Sequence, residues 1–552
     1  MPVNIGQLTC LQTLPFFVIG QNTGHRIEEL GCLSQLRGGL NIFNLEHVRD
    51  KEEAKTANLA GKTRLHKLEF HWSPERVGNN NDEDVLEGLQ PHPRLKSLKI
   101  GNFGGEKFPS WIVASVNISG GLFLLNHLLE ICLKGCDKCE KIPTLGHLPC
   151  LKFLQIMAMD NVTCIGTEFY SSDSGAGSST GRGGSGRNAL FPALERLDLQ
   201  HMHNLVEWKD AMDATTTGMV FPCLEELTIK ECSKLISAPC HFPYLKKLDI
   251  GKTCGTTFKN IISKLTTLVS LDMYDISKLA CLPEHLWQNN TTSLMSLNIR
   301  YCADLVSILL PHEDDVCAPC TSLQSVLIVG CKKLSHLPNT LQTLISLEKF
   351  DVSNCPNVIY FPSIQGVAPF LRTLAISCSA EVFPSGLQSC TSLSELKIAT
   401  CPNLKSIPDM RELHSLIRLV ILDCPNLISI GDLPELHSLD LLEISLCRKL
   451  RHLPDGLDCL TRLRRLQIGQ FCEELDVSTI LCSFQHLQTS LEELVLFGCD
   501  KLNTPPGEIL HFTGLKLLIM FGCSPERNFY KWFKRRMPHL DVSFVPVPHL
   551  LF

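Results

Sequence analysis

The chain is long, close to neutral and rich in cysteine, and these properties exclude several kinds of protein. Its 552 residues carry a net charge of −6 and include 27 cysteines. Without a broad basic surface, the chain is not expected to bind nucleic acid. No stretch of sequence approaches the ~20 apolar residues of a membrane span, and the N-terminal residues lack the charged and apolar segments of a secretory signal. We therefore expect a cytoplasmic chain with reduced cysteines.

Residues 1–64 contain only loose repeat phrases. The segment from Leu8 to Leu14 looks like the end of a unit, and the segment from Leu40 to Leu45 looks like an irregular one. A terminal repeat normally needs a polar cover for its exposed core. The sequence therefore predicts irregular N-terminal repeats whose beginning is truncated or is covered by another domain.

From Leu65 onward, a Leu-x-x-Leu-x-Leu-x-x-Cys phrase recurs, and it is complete from Leu416 to Cys424. Periods of this length are typical of leucine-rich repeats, in which each unit is a short strand with a return segment. The predicted fold is an α/β repeat solenoid, a leucine-rich-repeat horseshoe with a parallel concave β-sheet and short irregular or single-turn convex segments. The eighteen predicted phrase starts are Leu65, Leu95, Leu128, Leu151, Leu194, Leu224, Leu245, Leu268, Leu294, Leu323, Leu347, Leu371, Leu393, Leu416, Leu439, Leu463, Leu491 and Leu515.

The spacing of these starts divides the rest of the chain into three parts. Irregular repeats are predicted at 65–322, regular repeats at 323–523 and a C-terminal cap at 524–552. The Gly/Ser-rich tract at 171–188 is predicted to be a disordered loop, because such a composition cannot bury a core.

Ten cysteines occupy the last position of the repeat phrase, where the chain turns out of the strand. That position needs a small inward side chain that can donate weakly to a backbone carbonyl, and a buried free thiol meets both needs. A structural role is therefore favoured over a redox role. The ten are Cys136, Cys232, Cys302, Cys331, Cys355, Cys401, Cys424, Cys447, Cys499 and Cys523.

Motifs for catalysis are absent from the sequence. Two tripeptides match the end of a phosphate-binding loop, Gly61-Lys62-Thr63 and Gly251-Lys252-Thr253. Neither has the glycine that this motif requires five residues earlier. We find no zinc-protease or nucleophile-elbow motif, and we expect no set of His, Asp and Glu residues that repeat geometry would bring together. The chain is thus predicted to be no enzyme and to hold no catalytic, cofactor or metal residues.

The outward positions of the predicted strands contain the candidate partner-binding residues. In a strand the leucines face the core, and the residues between them face the opposite side. Exposed apolar patches and aromatic or arginine side chains often mark binding sites. Phe497 and Phe521 could alternatively lie under a C-terminal cap formed by residues 528–533. The candidates are Asp272, Tyr274, Arg300, Tyr301, Phe497 and Phe521.

The first 112 residues also contain distinctive short segments: 5–14 (IGQLTCLQTL), 17–20 (FVIG), 27–30 (IEEL), 36–40 (LRGGL), 45–48 (LEHV), 52–59 (EEAKTANL), 68–72 (LEFHW) and 108–112 (FPSWI). Together they resemble the opening of the repeat domain in plant nucleotide-binding leucine-rich-repeat disease-resistance proteins of the coiled-coil class. The Cys-x-x-Leu phrases agree with the same family over nearly the whole chain.

The resemblance implies the sensor and autoinhibitory repeat region of an intracellular immune receptor. Its partners would be a pathogen effector or guarded host protein, and the receptor's own nucleotide-binding domain. ADP or ATP is expected only on that domain, which this sequence lacks. Two alternatives stay open: a substrate-recruiting repeat scaffold of a ubiquitin ligase, and a free-standing decoy repeat protein.

Overall fold

The computed structural model of the chain describes residues 2–22, 24–74, 81–113, 125–170, 189–211, 219–308, 321–337, 344–367, 369–433, 436–472, 477–499, 502, 504–522 and 529–545. These residues belong to two compact units, Met1–Lys278 and Leu279–Phe552. The predicted disordered loop at 171–188 lies outside the described residues.

In the first unit, the described residues form twelve strands and four short α-helices, besides single turns of 3-10 helix. The strands are β1 Phe16–Val18, β2 Gly38–Phe43, β3 Leu65–His71, β4 Ser97–Gly101, β5 Glu130–Lys134, β6 Phe153–Met157, β7 Cys164–Ile165, β8 Arg196–Gln200, β9 Glu207–Trp208, β10 Glu226–Lys230, β11 Lys247–Gly251 and β12 Ser270–Tyr274. The helices are α1 Lys51–Lys55, α2 Asp82–Gly88, α3 Ser110–Val113 and α4 Gly255–Ile262. All the long strands pair in parallel with the next one along the chain, and β7 pairs separately with β9.

The described residues of the second unit repeat this arrangement with thirteen strands and three α-helices, besides short 3-10 helices. The strands are β13 Ser296–Arg300, β14 Ser325–Val329, β15 Lys349–Cys355, β16 Thr373–Cys378, β17 Glu395–Ala399, β18 Ser406–Ile407, β19 Arg418–Leu422, β20 Ser429–Ile430, β21 Leu441–Ser445, β22 Arg465–Gly469, β23 Glu493–Phe497, β24 Leu517–Phe521 and β25 Asp541–Val545. The helices are α5 Glu284–Asn290, α6 Val477–Cys482 and α7 Phe529–Arg536. The long strands form a parallel sheet, and β18 pairs with β20 on its own.

The predicted α/β leucine-rich-repeat fold is confirmed. Leu65 opens β3, and every other predicted start lies two residues before a long strand. Successive side chains of each strand face the core and the outward side of the sheet in turn. In β11 the side chains of Leu248 and Ile250 are buried, whereas Lys247 is exposed. One strand was not predicted, since β25 lies inside the segment interpreted as a C-terminal cap and pairs with β24.

Several return segments are longer than the predicted single turn. Helix α4 has eight residues, about two turns, and buries Phe258, Ile261 and Ile262. Helices α2 and α5 have seven residues each. These helices lie in the part of the chain with irregular spacing, where a longer return leaves room for them.

The predicted role of the phrase cysteines is confirmed for the described residues. Cys136, Cys232, Cys302, Cys331, Cys355, Cys401, Cys424, Cys447 and Cys499 are all buried and unbridged. In the first eight, Sγ lies 3.3 to 3.9 Å from the carbonyl oxygen two residues earlier. The residue before the cysteine often adopts positive φ, as at Thr400 (49°) and Asp423 (52°), and this turns the chain out of the strand. Cys523 lies outside the described residues.

A stack of aromatic rings fills the core of the first unit, and the sequence analysis missed it. Phe191, Phe221 and Phe242 each precede a proline, three residues before a phrase start. Their ring centroids lie 5.2 and 5.9 Å apart along the stack, and all three side chains are at most 1% exposed. A recurring Phe-Pro-x-Leu pattern is the sequence signal that could have predicted it.

Two polar aromatic side chains complete this stack. The Trp208 Nε1–H donates to the Tyr170 hydroxyl at 2.9 Å, and that hydroxyl donates to the Lys209 carbonyl at 2.9 Å. Both rings are buried. Their polar atoms are therefore hydrogen-bonded, as buried tyrosine and tryptophan require.

Lys62, in the tripeptide Gly61-Lys62-Thr63 that matches the end of a phosphate-binding loop, has a structural role. Its side chain is 1% exposed, and its Nζ donates to the carbonyls of Leu30 (2.7 Å) and Leu33 (2.9 Å). Burial lowers the pKa of the ammonium group to about 8. A buried cation that satisfies two turn carbonyls is not available to a nucleotide phosphate.

Replacing Lys62 by methionine should change how stability depends on pH. The folded pKa of about 8 lies below that of an exposed lysine, ~10.4, so the unfolded chain binds more protons between these values. The unfolding free energy is therefore highest above the pKa of Lys62 in the unfolded chain. It falls as the pH is lowered through the pKa of Lys62 in the folded protein. From pH 7.5 to 10, the unfolding free energy of the wild type should rise by about 2 kcal/mol relative to Lys62→Met. Urea denaturation of both proteins at each pH measures this, and a constant difference would contradict it.

Candidate protein-binding surface

A charged cluster occupies the outward side of β3 and β4. The Glu69 carboxylate lies 2.9 Å from Lys67 Nζ, 3.0 Å from His71 Nε2 and 3.5 Å from Lys99 Nζ. Burial opposes ionisation of Glu69, but the hydrogen bonds from Lys67 and His71 and the charge of Lys99 lower its pKa overall. The His71 ring stacks on Phe43 with centroids 4.7 Å apart. We call Lys67, Glu69, His71 and Lys99 the N-terminal charged cluster.

Asp272 and Tyr274, two of the predicted site residues, lie on the outward side of β12. Asp272 pairs in register with Asp249 of β11, whose carboxylate lies 2.6 Å from Lys230 Nζ. Tyr274 pairs with Gly251, where an added Cβ would lie 3.3 Å from the tyrosine ring. The tyrosine ring therefore packs against the backbone of the neighbouring strand at Gly251, where no side chain intervenes.

Arg300 and Tyr301 belong to the second unit, whereas Asp272 and Tyr274 belong to the first. Arg300 ends β13 on the outward side. The expectation that Tyr301 lies on the same strand surface is wrong, because it forms the turn after β13, with φ 56° and 50% exposure. Its ring covers Gly330, where an added Cβ would lie 2.6 Å from Cδ1.

Near the C-terminus, the outward side of the sheet contains small and apolar residues. The predicted neighbours Phe497 and Phe521 stack in parallel, with centroids 4.8 Å apart and planes 5° apart. Both side chains are half-buried. Adjoining positions in register are Ser445, Gly469 and Val545. We call Ser445, Gly469, Phe497, Phe521 and Val545 the C-terminal stripe.

Part of the predicted apolar surface beside this stripe is covered. Val495, on the outward side of β23, is only 9% exposed and adds little to an open apolar surface. Gly469 has φ 129°, and a Cβ there would lie 2.3 Å from the Phe497 carbonyl oxygen. The backbone of Phe497 therefore fills the space that a side chain at Gly469 would need, and only glycine fits at this position.

The alternative role of Phe497 and Phe521 under a cap does not match the position of helix α7. That helix buries Phe529 and Phe533, and Phe529 packs against Phe544 of β25 with centroids 6.5 Å apart. The core-facing neighbours of the stacked phenylalanines are Leu496 and Met520, which are buried. The aromatic pair therefore lies on the face opposite the core and stays partly open.

The structure also overturns the expectation that no His, Asp and Glu residues come together. His201, His203 and Glu231 each place one potential ligand atom within 4.8 Å of the others. His201 and Glu231 each follow their strand directly, and the register between β8 and β10 brings these equivalent positions together although thirty residues separate them. The shared position in the repeat phrase is the sequence signal that could have predicted this cluster.

No helix among the described residues has the length and apolar character needed to cross a bilayer. Residues 27–159 match the family model described as R13L1/DRL21 LRRs. This segment is similar to the leucine-rich repeats of that family. The matched segment includes the whole N-terminal charged cluster.

Similarity to plant disease-resistance proteins extends beyond that segment, which confirms the predicted resemblance. RGA1 of Solanum bulbocastanum, a disease resistance protein by name, is 31% identical over 307 residues, covering 55% of this chain and 28% of RGA1. The disease resistance RPP13-like protein 1 of Arabidopsis thaliana is 30% identical over 381 residues, covering 66% of this chain and 31% of its own length. The chain thus spans less than a third of either relative.

Among solved structures, a leucine-rich-repeat protein of Leptospira interrogans aligns with a TM-score of 0.41 and 16% identity. The alignment covers 98% of this chain and 97% of that one.

Proposed function

We propose that this chain is the sensor and autoinhibitory repeat region of a cytoplasmic plant immune receptor. It binds a pathogen effector or a guarded host protein and catalyses no reaction. The observation that carries the binding role is the C-terminal stripe, where a stacked aromatic pair lies half-buried on the outward side of the sheet. Aromatic anchors with a polar rim dominate the energetics of protein interfaces.

The rim of this stripe is polar. On the same outward side of β22, Arg465 lies four residues before Gly469 and forms an ion pair with Asp440 at 2.6 Å. Glu443 accepts a hydrogen bond from the Ser445 hydroxyl at 3.2 Å. Burial raises the pKa of the Glu443 carboxyl. A partner with an apolar centre and a polar border fits this arrangement.

We assign the autoinhibitory contact to the N-terminal charged cluster. It lies within the segment that matches the family model, and its charges are arranged on one outward surface. Its partner would be the nucleotide-binding domain of the same receptor, which would bind the ADP or ATP. A ligand then activates the receptor only if it binds the open state more tightly than the closed one.

A binding screen tests the sensor role. The immobilised chain is exposed to purified effector proteins of plant pathogens and to plant host proteins, and affinities are measured by biolayer interferometry. We expect at least one protein to bind, and we expect Phe497→Ala/Phe521→Ala to weaken that binding at least about tenfold, as loss of anchor residues does.

Two further variants locate the site. Tyr530→Ala removes an exposed aromatic ring from α7 and should leave the affinity unchanged. Tyr274→Ala/Arg300→Ala/Tyr301→Ala tests the other predicted site residues in the same assay. If only the triple variant loses binding, the C-terminal stripe is not the site, and if no protein binds, the sensor role is wrong.

A further inference from the structure

The turn after each strand brings residues of successive repeats side by side. His201 follows β8 and Glu231 follows β10, and both adopt positive φ, 54° and 57°. The last residues of these strands, Gln200 and Lys230, are partners in the parallel register. His201 and Glu231 are therefore neighbours at the same edge of the sheet, although thirty residues separate them in the sequence.

His203 lies two residues further along the same turn and is oriented by Asp160. Its Nδ1 lies 3.0 Å from the Asp160 carboxylate, and its backbone N–H donates to the same oxygen at 3.3 Å. Asp160 occupies the equivalent turn after β6. A carboxylate that accepts from Nδ1 fixes the imidazole tautomer and leaves Nε2 to bind a metal, which is the usual arrangement behind metal-bound histidines.

The ligand atoms of His201, His203 and Glu231 all lie within 4.8 Å of one another. Within the part of the chain that the structure describes, this is the only group of three such residues. Two imidazoles and one carboxylate are a donor set that zinc accepts, with a fourth position left open. Both histidines are exposed, so a hydrated ion can reach them.

We propose that His201, His203 and Glu231 bind one Zn²⁺ ion, with Asp160 as the positioning residue of His203 and water in the fourth position. This site is separate from the proposed protein-binding stripe, which lies in the second unit. It requires only small side-chain movements, because the ligand atoms are already close together.

Lys252 competes with the ion for Glu231. It occupies the equivalent turn after β11, and its Nζ lies 2.7 Å from Glu231 Oε1. The ammonium group both occupies one carboxylate oxygen and repels a cation. Removing this charge should therefore tighten zinc binding, an effect that adventitious binding elsewhere on the chain would not show.

Isothermal titration of the full chain with ZnCl₂ tests the proposal. Exposed thiols are first blocked with iodoacetamide, because Cys10, Cys32, Cys223 and Cys482 are exposed and would bind zinc themselves. We expect one equivalent of Zn²⁺ to bind, and His203→Ala or Glu231→Gln to weaken binding at least about tenfold. Asp160→Asn should weaken it by roughly 10- to 100-fold, as loss of outer-shell partners does.

Lys252→Met should strengthen binding severalfold, and His414→Ala serves as the matched control. His414 is an exposed histidine whose Nε2 lies 3.9 Å from the Glu412 carboxylate, outside the proposed site. Equal zinc affinity in the wild type and His203→Ala would overturn the proposal, as would a loss in His414→Ala of the same size. Absence of any zinc binding by the blocked chain would also overturn it.

Discussion

At pH 10.5 the second unit should be close to unfolding, because its buried thiols cannot ionise in the folded state. Burial and neighbouring thiols raise the pKa of Cys390, Cys401 and Cys424 to about 12. In the unfolded chain these thiols ionise near the ordinary cysteine pKa of 9.0. A thiol whose pKa is raised by folding contributes its full stability below the pKa of the unfolded chain. That contribution is lost as the pH rises toward the pKa of the folded protein.

The size of this effect follows from the gap between the two pKa values. Between pH 8 and 10.5, each of the three thiols should remove about 2 kcal/mol from the unfolding free energy, together about 6 kcal/mol. Since a domain has a stability of about 5 to 15 kcal/mol, this loss is decisive. Cys355 and Cys447 act in the opposite direction, because hydrogen bonds from Cys331 and Cys424 lower their pKa values. Urea denaturation followed by circular dichroism, in the presence of a phosphine reductant, measures the loss.

Cys401→Ala/Cys424→Ala separates thiol ionisation from general alkaline damage. The double variant should be less stable at pH 8, since it loses buried atoms, but its unfolding free energy should depend less on pH, by about 4 kcal/mol over the same range. The matched control is Cys482→Ala, whose thiol is exposed, and this variant should keep the wild-type pH dependence. An unchanged dependence in the double variant would show that the buried thiols do not control alkaline stability.

The repeat phrase predicted most of the fold because it is a local pattern. Each phrase encodes its own strand by alternation, so Leu416 to Cys424 predicts β19 without knowledge of its neighbours. The positions of the cysteines were predictable for the same reason. Each repeat needs one small, core-facing side chain that can donate to a backbone carbonyl where the chain leaves the strand. The strand β25 was missed because residues 541–545 lack the leading leucine pattern and the closing cysteine.

The sites were less predictable because they depend on contacts between repeats. The Lys62 ammonium reaches carbonyls about thirty residues earlier, and the His201, His203 and Glu231 cluster depends on the register of two strands. Tyr301 was misplaced because its side chain projects from a turn with positive φ instead of from a strand. Stacked Phe497 and Phe521, by contrast, follow directly from equivalent positions in adjacent phrases.

Phe221→Ala should destabilise the first unit by about 4 kcal/mol, the upper part of the range for core substitutions. Phe221 lies between Phe191 and Phe242 in the aromatic stack, and its ring also contacts Tyr170 at 6.0 Å and Trp208 at 6.4 Å between centroids. Removing the central ring leaves a cavity lined by rigid side chains, which cannot easily close.

The measurement is hydrogen exchange of the β10 and β11 amides, because repeat proteins can lose stability unit by unit. We expect these amides to lose protection by about 4 kcal/mol while those of the second unit keep theirs. Tyr244→Ala is the matched control, since Tyr244 lies in a Phe-Pro-x-Leu phrase but is 50% exposed, and its replacement should cost less than about 0.5 kcal/mol.

A double-mutant cycle decides whether the rings act together. Phe191 and Phe221 are 5.2 Å apart between centroids, close enough that their substitutions should not add. Once Phe221→Ala has opened the cavity, Phe191 has lost one of its three aromatic neighbours, so Phe191→Ala should cost about 1 kcal/mol less than it does in the wild type. Strict additivity would mean that each phenylalanine is held by its own repeat and that the stack does not couple the repeats of the first unit.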